Sequence, residues 1–269
     1  MQLETLRVET ADHIARVTLT RGDEFNTMTP QFWEDVITAF AHIEGEASVR
    51  AVVIASTGRH FTAGLDLKSA SNPFGDSGDP ARQRVHFLNH VKRLQHSFTV
   101  IDQCRVPVIA AIQGGCIGGG VDLVTACDLR VITADGWFAI AEIDVGIVAD
   151  VGTLQRIPHL LPQGLVRELA YTGRRFPAEE AARYAFVNSV AADHDAVIAA
   201  AMDLARTIAA KSPVAMMGTK TILNRGRDQS IEQGLDNVAV WNAAFLQGSD
   251  MQQAIAAQLE KRAPTFDDL

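Results

Sequence analysis

Two continuous runs of apolar, largely β-branched residues constrain the fold of this chain more than any other feature. The first is VRAVVIAS, which begins at Val49, and the second is PVIAAIQG, which begins at Pro107. Runs of this kind, bounded by turn residues, are typical of strands that are covered on both faces of a sheet. HIARVTLT, from His13 to Thr20, predicts a further strand. The first half of the chain is therefore expected to contain a buried sheet.

Helical patterns separate these strands and then dominate the second half of the chain. Thr29-Pro30, a hydroxyl N-cap followed by proline, predicts the start of one helix, and apolar residues recur at helical spacing over residues 81–103. From Gly152 onward most of the pattern is helical. The later predicted helices are Ala196–Ala210, Ile231–Leu246 and Met251–Leu259. We expect an α/β fold followed by helices that pack either on the core or on another subunit.

Composition excludes several function classes. The 269 residues include 24 basic and 32 acidic side chains, which gives a net charge of −8. Nucleic-acid binders normally carry a basic excess, so no nucleic-acid partner is expected. No stretch reaches the ~18 consecutive apolar residues of a membrane helix, and MQLETLRVET at the start lacks the apolar run of a signal peptide. Cys104, Cys116 and Cys127 form no CxxC pair, which predicts buried reduced thiols in a cytosolic protein.

A glycine cluster, QGGCIGGGVD (residues 113–122), follows the second apolar run and precedes a predicted helix. Glycines at a helix N-terminus favour the binding of negative charge, because the backbone approaches closely and N–H groups are unpaired. The cluster fits neither GxGxxG nor GxxxxGK[ST], so nucleotide fingerprints are excluded. Two interpretations stay open: an oxyanion hole, or close packing of strand and helix that simply needs glycine.

A second glycine loop, HFTAGLDL (residues 60–67), follows the first apolar run. If both loops leave the same sheet edge, Ala63 and the Gly118–Gly120 run each supply one N–H to the same oxygen. The long loop from Thr57 to Pro80 is expected to have little regular structure after Lys68. Arg21, Arg59 and Lys68 flank the glycine loop and are candidates for contact with phosphates, or else solvated surface.

Carboxylates lie in a largely apolar segment that begins at Trp137. They are Glu142, Asp144 and Asp150, and Asp122 follows the glycine cluster. Burial raises the pKa of a carboxyl group toward the range useful for general acid–base catalysis. Each has an ordinary alternative: Asp150 could cap a helix near Gly152, and Asp144 could face solvent.

Other chemistries lack support. His86 and His90 are four residues apart on a predicted helix, but no glutamate follows His86 and no third ligand lies nearby. We therefore predict no metal site. No GxSxG elbow is present.

Together these segments resemble the crotonase, or enoyl-CoA hydratase/isomerase, superfamily over most of the chain. The resemblance implies a crotonase-like ββα spiral core at residues 1–200 and a C-terminal helical region at 201–269, which covers the pocket and forms subunit contacts. It implies that the N–H groups at Ala63 and Gly119 polarise an acyl-thioester carbonyl and stabilise an enolate. It also implies an acyl-CoA substrate, no cofactor beyond the coenzyme A of the substrate, and a homotrimer or homohexamer.

Within the superfamily, QGGCIGGGVDLVTACDLR and EIDVGIVADVGTLQRIP are similar to segments of the dienoyl-CoA isomerases. Their three acidic positions fall on Asp122, Glu142 and Asp150, whereas hydratases use two glutamates and normally lack an acid at position 150. The resemblance therefore implies isomerisation of 3,5-dienoyl-CoA to 2,4-dienoyl-CoA in fatty acid oxidation. Glu142 and Asp150 would exchange protons at the two ends of the dienolate, and Asp122 would tune polarity and orientation.

The resemblance leaves some points open. Which carboxylate takes the α-proton is not settled by the sequence, and an enoyl-CoA hydratase, another crotonase activity or an RNA-associated relative are the alternatives. The C-terminal Asp267-Asp268-Leu269 is not a peroxisomal address, which favours a cytoplasmic location. The expected substrate contacts are Arg59, His60, Phe61, Gly64, Leu65, Asp66, Leu67 and Gly118.

Overall fold

A computed structural model of the chain describes residues 1–68, 75 and 78–269. The strands are β1 (Leu6–Ala11), β2 (Ile14–Leu19), β3 (Ala51–Ser56), β4 (Val108–Ile112), β5 (Gly115–Ile117), β6 (Leu129–Thr133), β7 (Trp137–Ala139), β8 (Phe176–Pro177) and β9 (Ser189–Ala191). The helices are α1 (Pro30–Gly45), α2 (Pro80–Asp102), α3 (Gly119–Ala126), α4 (Thr153–Arg156), α5 (Gln163–Thr172), α6 (Ala178–Arg183), α7 (His194–Ala209), α8 (Pro213–Arg225), α9 (Ile231–Phe245) and α10 (Ser249–Leu259). The predicted α/β class, with a helical second half, is confirmed.

The described strands form two sheets. The larger has the order β1-β2-β3-β4-β6-β9, and the smaller has the order β5-β7-β8. Strand β1 is antiparallel to β2, whereas β2, β3, β4, β6 and β9 pair in parallel. The two apolar runs of the sequence become β3 and β4, which are neighbours and are buried throughout. Their carboxyl ends therefore meet at one edge of the larger sheet.

The larger sheet is covered on both faces, as the continuous apolar sequence of β3 predicts. Val52 and Ile54 belong to the main core, which α1, α2 and α3 complete. The alternate residues of β3, with Val53 among them, pack instead with α7. The buried residues of α7, at intervals of four, are Val197, Ala201, Ala205 and Ala209. Small side chains allow this helix to lie close to the sheet.

Helix α1 starts as predicted. Pro30 is its first residue, and the Thr29 side chain accepts a hydrogen bond from the Phe32 N–H. Such a cap contributes about 1 kcal/mol to helix stability. The predicted helix over residues 81–103 corresponds to α2.

Helices α8, α9 and α10 follow the sheet region. The Lys220 ammonium of α8 donates to the Asp128 carboxylate (2.7 Å) and to the Val106 carbonyl (3.0 Å), which ties α8 to the core. The division of the chain at residue 200 stays a prediction; α7 runs through that position. Part of the predicted irregular loop, residues 69–74 and 76–77, lies outside the described residues. Among the described helices, none is long and apolar enough to cross a membrane.

Candidate active site

The two glycine loops meet where β3 and β4 end. The Phe61 N–H donates to the Gln113 carbonyl (2.8 Å), and Thr62 forms a parallel bridge with Cys116. Both loops therefore leave the same sheet edge, which is the condition set for two backbone donors to serve one oxygen.

Contact between the loops requires glycine at position 64. Gly64 has φ +81°, and a Cβ atom there would lie 2.7 Å from the Ile117 carbonyl oxygen and 3.4 Å from the Gly119 nitrogen. Only glycine combines this backbone conformation with so close an approach. Gly64 thus brings the first loop against the start of α3.

The N-terminus of α3 presents a free donor. Gly118, at φ +53°, is its N-cap, and no side chain caps the helix. The Gly118 N–H donates to the Ala139 carbonyl, but no hydrogen bond from the Gly119 N–H is found in the described part of the chain. This donor is available to an anionic oxygen, as the sequence predicts, and the helix dipole favours the same charge.

The second predicted donor requires a correction. The Ala63 N–H donates to the Phe25 carbonyl (2.9 Å), so it does not serve a substrate oxygen. The N–H of Leu65 has no hydrogen-bond partner among the described residues, although its neighbours Gly64 and Asp66 both bond to Met28. Leu65 directly follows the glycine that touches Gly119, so the free donor of this loop is at Leu65. The sequence identified Leu65 only as a substrate contact.

Glu142 begins a 3₁₀ turn, Glu142–Val145, and its side chain lies against the start of α3. Its Oε1 lies 3.3 Å from the position of a Cβ on Gly118. Its Oε2 is buried and has no hydrogen-bond partner in the described part of the protein. Burial, together with the negative charge of Asp122, raises the pKa of Glu142 to about 7.

Asp122 lies deeper, on α3, with 1% of its surface exposed. Its Oδ1 accepts a hydrogen bond from the Thr153 N–H at 2.5 Å. Burial raises the pKa of Asp122 to about 6, and the hydrogen bonds from Thr153 and the charge of Arg156 oppose the rise. Because it is enclosed, the Asp122 carboxylate lies away from solvent, and its negative charge raises the pKa of Glu142.

Asp150 is the less buried acid. Burial raises its pKa, and the nearby His90 opposes this. The Gln95 side chain on α2 donates to the Asp150 carbonyl (2.8 Å) and so fixes the backbone there. The alternative role of Asp150 as a helix cap is wrong, because Gly152 is the N-cap of α4 and no side chain caps that helix.

Asp144 is exposed, in agreement with its alternative role as a solvent-facing carboxylate. The three cysteines are buried and unpaired, as predicted. Burial raises the pKa of Cys104 and of Cys127 to about 12 and that of Cys116 well above its ordinary value, so these thiols stay protonated.

Some of the expected substrate contacts are buried or bonded within the fold, and others are exposed to solvent. The Phe61 side chain is fully buried in the core and is not accessible to a substrate, although Phe61 was predicted as a substrate contact. His60 Nδ1 accepts a hydrogen bond from the Gly115 N–H (2.9 Å), and its pKa is lowered by burial and by Arg59. Leu65 and Leu67 are exposed and apolar, with 42% and 67% of their surfaces accessible.

Of the three cations predicted beside the first loop, Arg21 is held against it by an ion pair. Arg21 lies 3.6 Å from the Asp66 carboxylate and 3.5 Å from that of Glu24. Arg59 and Lys68 are exposed. Their contact with a phosphate stays a prediction. Within the described ranges, no group of three or more His, Cys, Asp or Glu side chains is arranged to hold a metal ion.

The sequence and the fold of this chain are similar to those of known proteins. A family model described as "Enoyl-CoA hydratase/isomerase" matches residues 9–269. A mouse protein named "Delta(3,5)-Delta(2,4)-dienoyl-CoA isomerase, mitochondrial" is 44% identical over 263 residues, covering 96% of this chain and 80% of that protein. A peroxisomal protein of the same activity name from Arabidopsis thaliana is 39% identical over 267 residues, covering 98% and 96%. A crystal structure of an enoyl-CoA hydratase from Bacillus anthracis matches with a TM-score of 0.88 at 28% identity, covering 98% and 99%.

Proposed function

The chain belongs to the enoyl-CoA hydratase/isomerase family, and we propose that it isomerises 3,5-dienoyl-CoA to 2,4-dienoyl-CoA. The observation that carries this proposal is that the Glu142 carboxylate lies against Gly118, beside the free N–H at the start of α3, and that a second acid, Asp150, interacts electrostatically with Glu142. Relatives that carry the isomerase name match nearly the whole chain.

The oxyanion hole is formed by two backbone donors. The N–H groups of Leu65 and Gly119 point at the thioester oxygen of the substrate. They stabilise the negative charge that develops there when the α-carbon loses its proton, and each such donor contributes about 10²–10³ in rate. The dipole of α3 adds to this stabilisation.

The unequal burial of the two carboxylates supports an assignment of the acid and the base. Glu142, with a pKa of about 7, holds a proton in a large fraction of molecules at neutral pH. Burial also raises the pKa of Asp150, which has a lower ordinary value and is less buried than Glu142. We therefore propose Asp150 as the base and Glu142 as the acid.

The reaction follows from this assignment. Asp150 takes a proton from C2, and the electrons of the C2–H bond delocalise over the diene and the thioester oxygen. Glu142 donates its proton to C6, and the double bonds then lie at C2–C3 and C4–C5. The substrate loses one proton to Asp150 and gains one from Glu142. Its composition and oxidation state therefore do not change, and no electron acceptor is needed.

The enoyl-CoA hydratase alternative is less well supported by the geometry. Hydration needs two carboxylates that converge on one water molecule. Asp122, the partner that Glu142 would need, is enclosed and bonded to the Thr153 N–H. The accessible second acid is Asp150, at the position that suits proton transfer along an acyl chain.

The direct test is a spectrophotometric assay with a 3,5-dienoyl-CoA, in which the conjugated 2,4-dienoyl-CoA appears. We expect rapid conversion, and slow hydration of a 2-enoyl-CoA at the same enzyme concentration. Rapid hydration with no isomerisation would overturn the proposal in favour of the hydratase.

We also infer that the protein assembles as the predicted homotrimer or homohexamer. Helices α9 and α10, with Leu246 between them, expose many large apolar side chains, and large exposed apolar patches mark protein–protein contacts. They are Ile231, Leu235, Val240, Phe245, Leu246, Ile255 and Leu259. Light scattering after size-exclusion chromatography tests this, and a monomer would contradict it.

The predicted cytoplasmic location stays a prediction. Relatives carry the words mitochondrial and peroxisomal in their names, so the family occupies more than one compartment.

A further inference from the structure

A guanidinium group lies directly behind the turn that follows Asp150. A Cβ atom on Gly152 would lie 1.8 Å from Nη1 of Arg156, and Gly152 has φ +129°. Only glycine leaves room for the arginine at this turn. Arg156 is therefore packed against the backbone of the acidic segment rather than extended into solvent.

Several contacts hold Arg156 in this position. Its Nε lies 3.9 Å from the Asp102 carboxylate of α2, and its Nη1 donates to the Val151 carbonyl at 3.4 Å. Asp102 is itself fixed, because it accepts from Arg227 (2.8 Å) and its carbonyl accepts from Asn224 (2.9 Å). Arg156 has 15% of its side chain exposed, so its charge is only partly screened by water.

The turn links this charge to Asp122. Gly152 touches the guanidinium of Arg156, and the next residue, Thr153, donates its N–H to the Asp122 carboxylate at 2.5 Å. Burial raises the pKa of Asp122; the hydrogen bonds from Thr153 oppose this most strongly, and the positive charge of Arg156 adds to their effect.

The other ionisable groups that act on Asp122 come from three further segments. They are Glu142 of the 3₁₀ turn, Asp150 of the loop before α4 and the Cys116 thiol of β5. The thiol stays protonated and the two acids are negative when ionised. Arg156 is thus the cation that acts on Asp122 among these neighbours.

We propose that Arg156 is a positioning residue for the proton-transfer site: its guanidinium, packed behind the turn whose Thr153 N–H binds Asp122, favours the ionised form of the Asp122 carboxylate, and the charge of Asp122 favours the protonated form of Glu142. This inference rests on the proposed function, in which Glu142 is the proton donor. Without the charge of Arg156, the buried proton moves from Glu142 toward Asp122. Glu142 then loses its proton at a lower pH, and a smaller fraction of the enzyme holds the acid needed at C6.

Substitution of Arg156 is compatible with folding. Arg156 lines an open cavity of about 700 Å³ together with Asp102, Asn224, Arg227, Gln155 and His159. Neither Glu142 nor Asp150 lines this cavity, although Val151 and Gly152 do. A methionine at position 156 keeps the length of the side chain, removes the charge and creates no packed void.

The first experiment needs no substrate. The protein is labelled with ¹³C at the glutamate carboxyl carbon, and Glu142 is identified by the signal missing from the Glu142→Gln variant. We expect a titration midpoint near 7 in the unsubstituted protein. The midpoint should fall by roughly half a unit to one unit in Arg156→Met, because Asp122 is then protonated more readily and loses the negative charge that raises the pKa of Glu142. Arg156→Lys, which retains the charge, restores most of the midpoint. An unchanged midpoint in Arg156→Met would overturn the proposal.

A matched control separates charge from structure. Asp102→Asn breaks the same ion pair but leaves the cation of Arg156 less neutralised. We expect the Glu142 midpoint to stay or rise in this variant, opposite in sign to Arg156→Met. If both variants lower the midpoint equally, Arg156 acts only by holding the fold, and the proposal fails.

Activity provides the second readout. With a 3,5-dienoyl-CoA, the alkaline fall of kcat should begin at a lower pH in Arg156→Met than in the unsubstituted protein, with little change in KM. If the unsubstituted protein does not isomerise the substrate, the proposed function fails, while the carboxyl titration still decides the effect of Arg156 on Glu142.

Discussion

The site is built from two regions that achieve their roles in different ways. The donor side consists of residues 61–67 and 114–119, and the acid side consists of residues 142–153. On the donor side, glycine loops are fixed by backbone hydrogen bonds between residues far apart in the chain, such as Phe61 to Gln113. On the acid side, residues 143–148 are exposed, and Val148 shows 72% of its surface.

The two sides therefore depend on different properties: the donor side on the position of the backbone, and the acid side on the protonation of carboxyl groups. The donor side contributes N–H groups whose value depends on where the backbone lies and not on pH. The acid side contributes carboxyl groups whose value depends on burial and on neighbouring charges, which set their pKa values. Changes on the donor side should therefore lower activity equally at every pH, whereas changes on the acid side should alter its pH dependence.

The largest effect is expected for Asp150→Asn. The amide has nearly the same shape but cannot accept the C2 proton, so kcat should fall by about 10³-fold, within the range for loss of a general base. Asp144→Asn is the matched control, since Asp144 is an exposed carboxylate of the same segment. It should keep near-normal activity. A loss below tenfold in Asp150→Asn would remove this residue from the mechanism.

Gly64→Ala tests the donor side. The new Cβ would lie 2.7 Å from the Ile117 carbonyl at a residue with φ +81°, which forces the two loops apart. We expect kcat to fall by about 10²-fold, the value for one oxyanion donor, with the same pH profile. Gly146→Ala is the control, because Gly146 also has a positive φ (+72°) but nothing lies within 4 Å of its Cβ position.

The control should lose some stability, about 1 kcal/mol from backbone strain, but little activity. If Gly64→Ala instead shifts the alkaline limb of the pH profile, the separation between the two sides is wrong. That outcome would mean that the donor loops also set the pKa of Glu142.

Local pattern was enough to predict the donor side in outline. The apolar runs identified β3 and β4, and their parallel pairing places both glycine loops at one edge. The choice of donor was wrong, because the Ala63 N–H is taken by Phe25. Phe25 presents its carbonyl from a left-handed conformation (φ 54°) after a short 3₁₀ turn, and no sequence pattern announces that contact.

The sequence predicted that burial raises the pKa of these carboxyl groups, but not how unequally they are buried. Three carboxylates in apolar surroundings were visible in the sequence. Their unequal burial depends on tertiary packing, since Asp122 lies on α3 and is enclosed by Thr153 from a later segment. The position of Arg156 behind Gly152 likewise depends on α2, through Asp102.

The pH dependence of kcat should reflect the acid side alone. Glu142 must be protonated to donate, so activity falls as pH rises through about 7. Asp150 must be ionised to accept a proton, so activity also falls as pH drops through its raised pKa. The expected profile is bell-shaped, with roughly tenfold loss for each unit beyond either limb. Activity that still rises between pH 7 and pH 9 would show that Glu142 is not the acid.

The smallest effect concerns stability. The pKa of Glu142 is raised on folding, so folding favours its protonated form. The stability that this contributes is fully present below the unfolded pKa of 4.5 and is lost as pH rises through about 7. Glu142→Gln has no proton to lose. It should therefore gain on the order of 1–2 kcal/mol in free energy of unfolding, relative to the unsubstituted protein, between pH 5 and pH 8.

Urea denaturation at both pH values measures this gain, and Asp144→Asn serves as the control for removing an exposed charge from the same turn. An equal gain in the control would assign the effect to net charge. A gain confined to Glu142→Gln would show that burying the proton donor of the acid side lowers the stability of the protein. The donor side has no such cost, because its loops contribute backbone N–H groups that do not titrate.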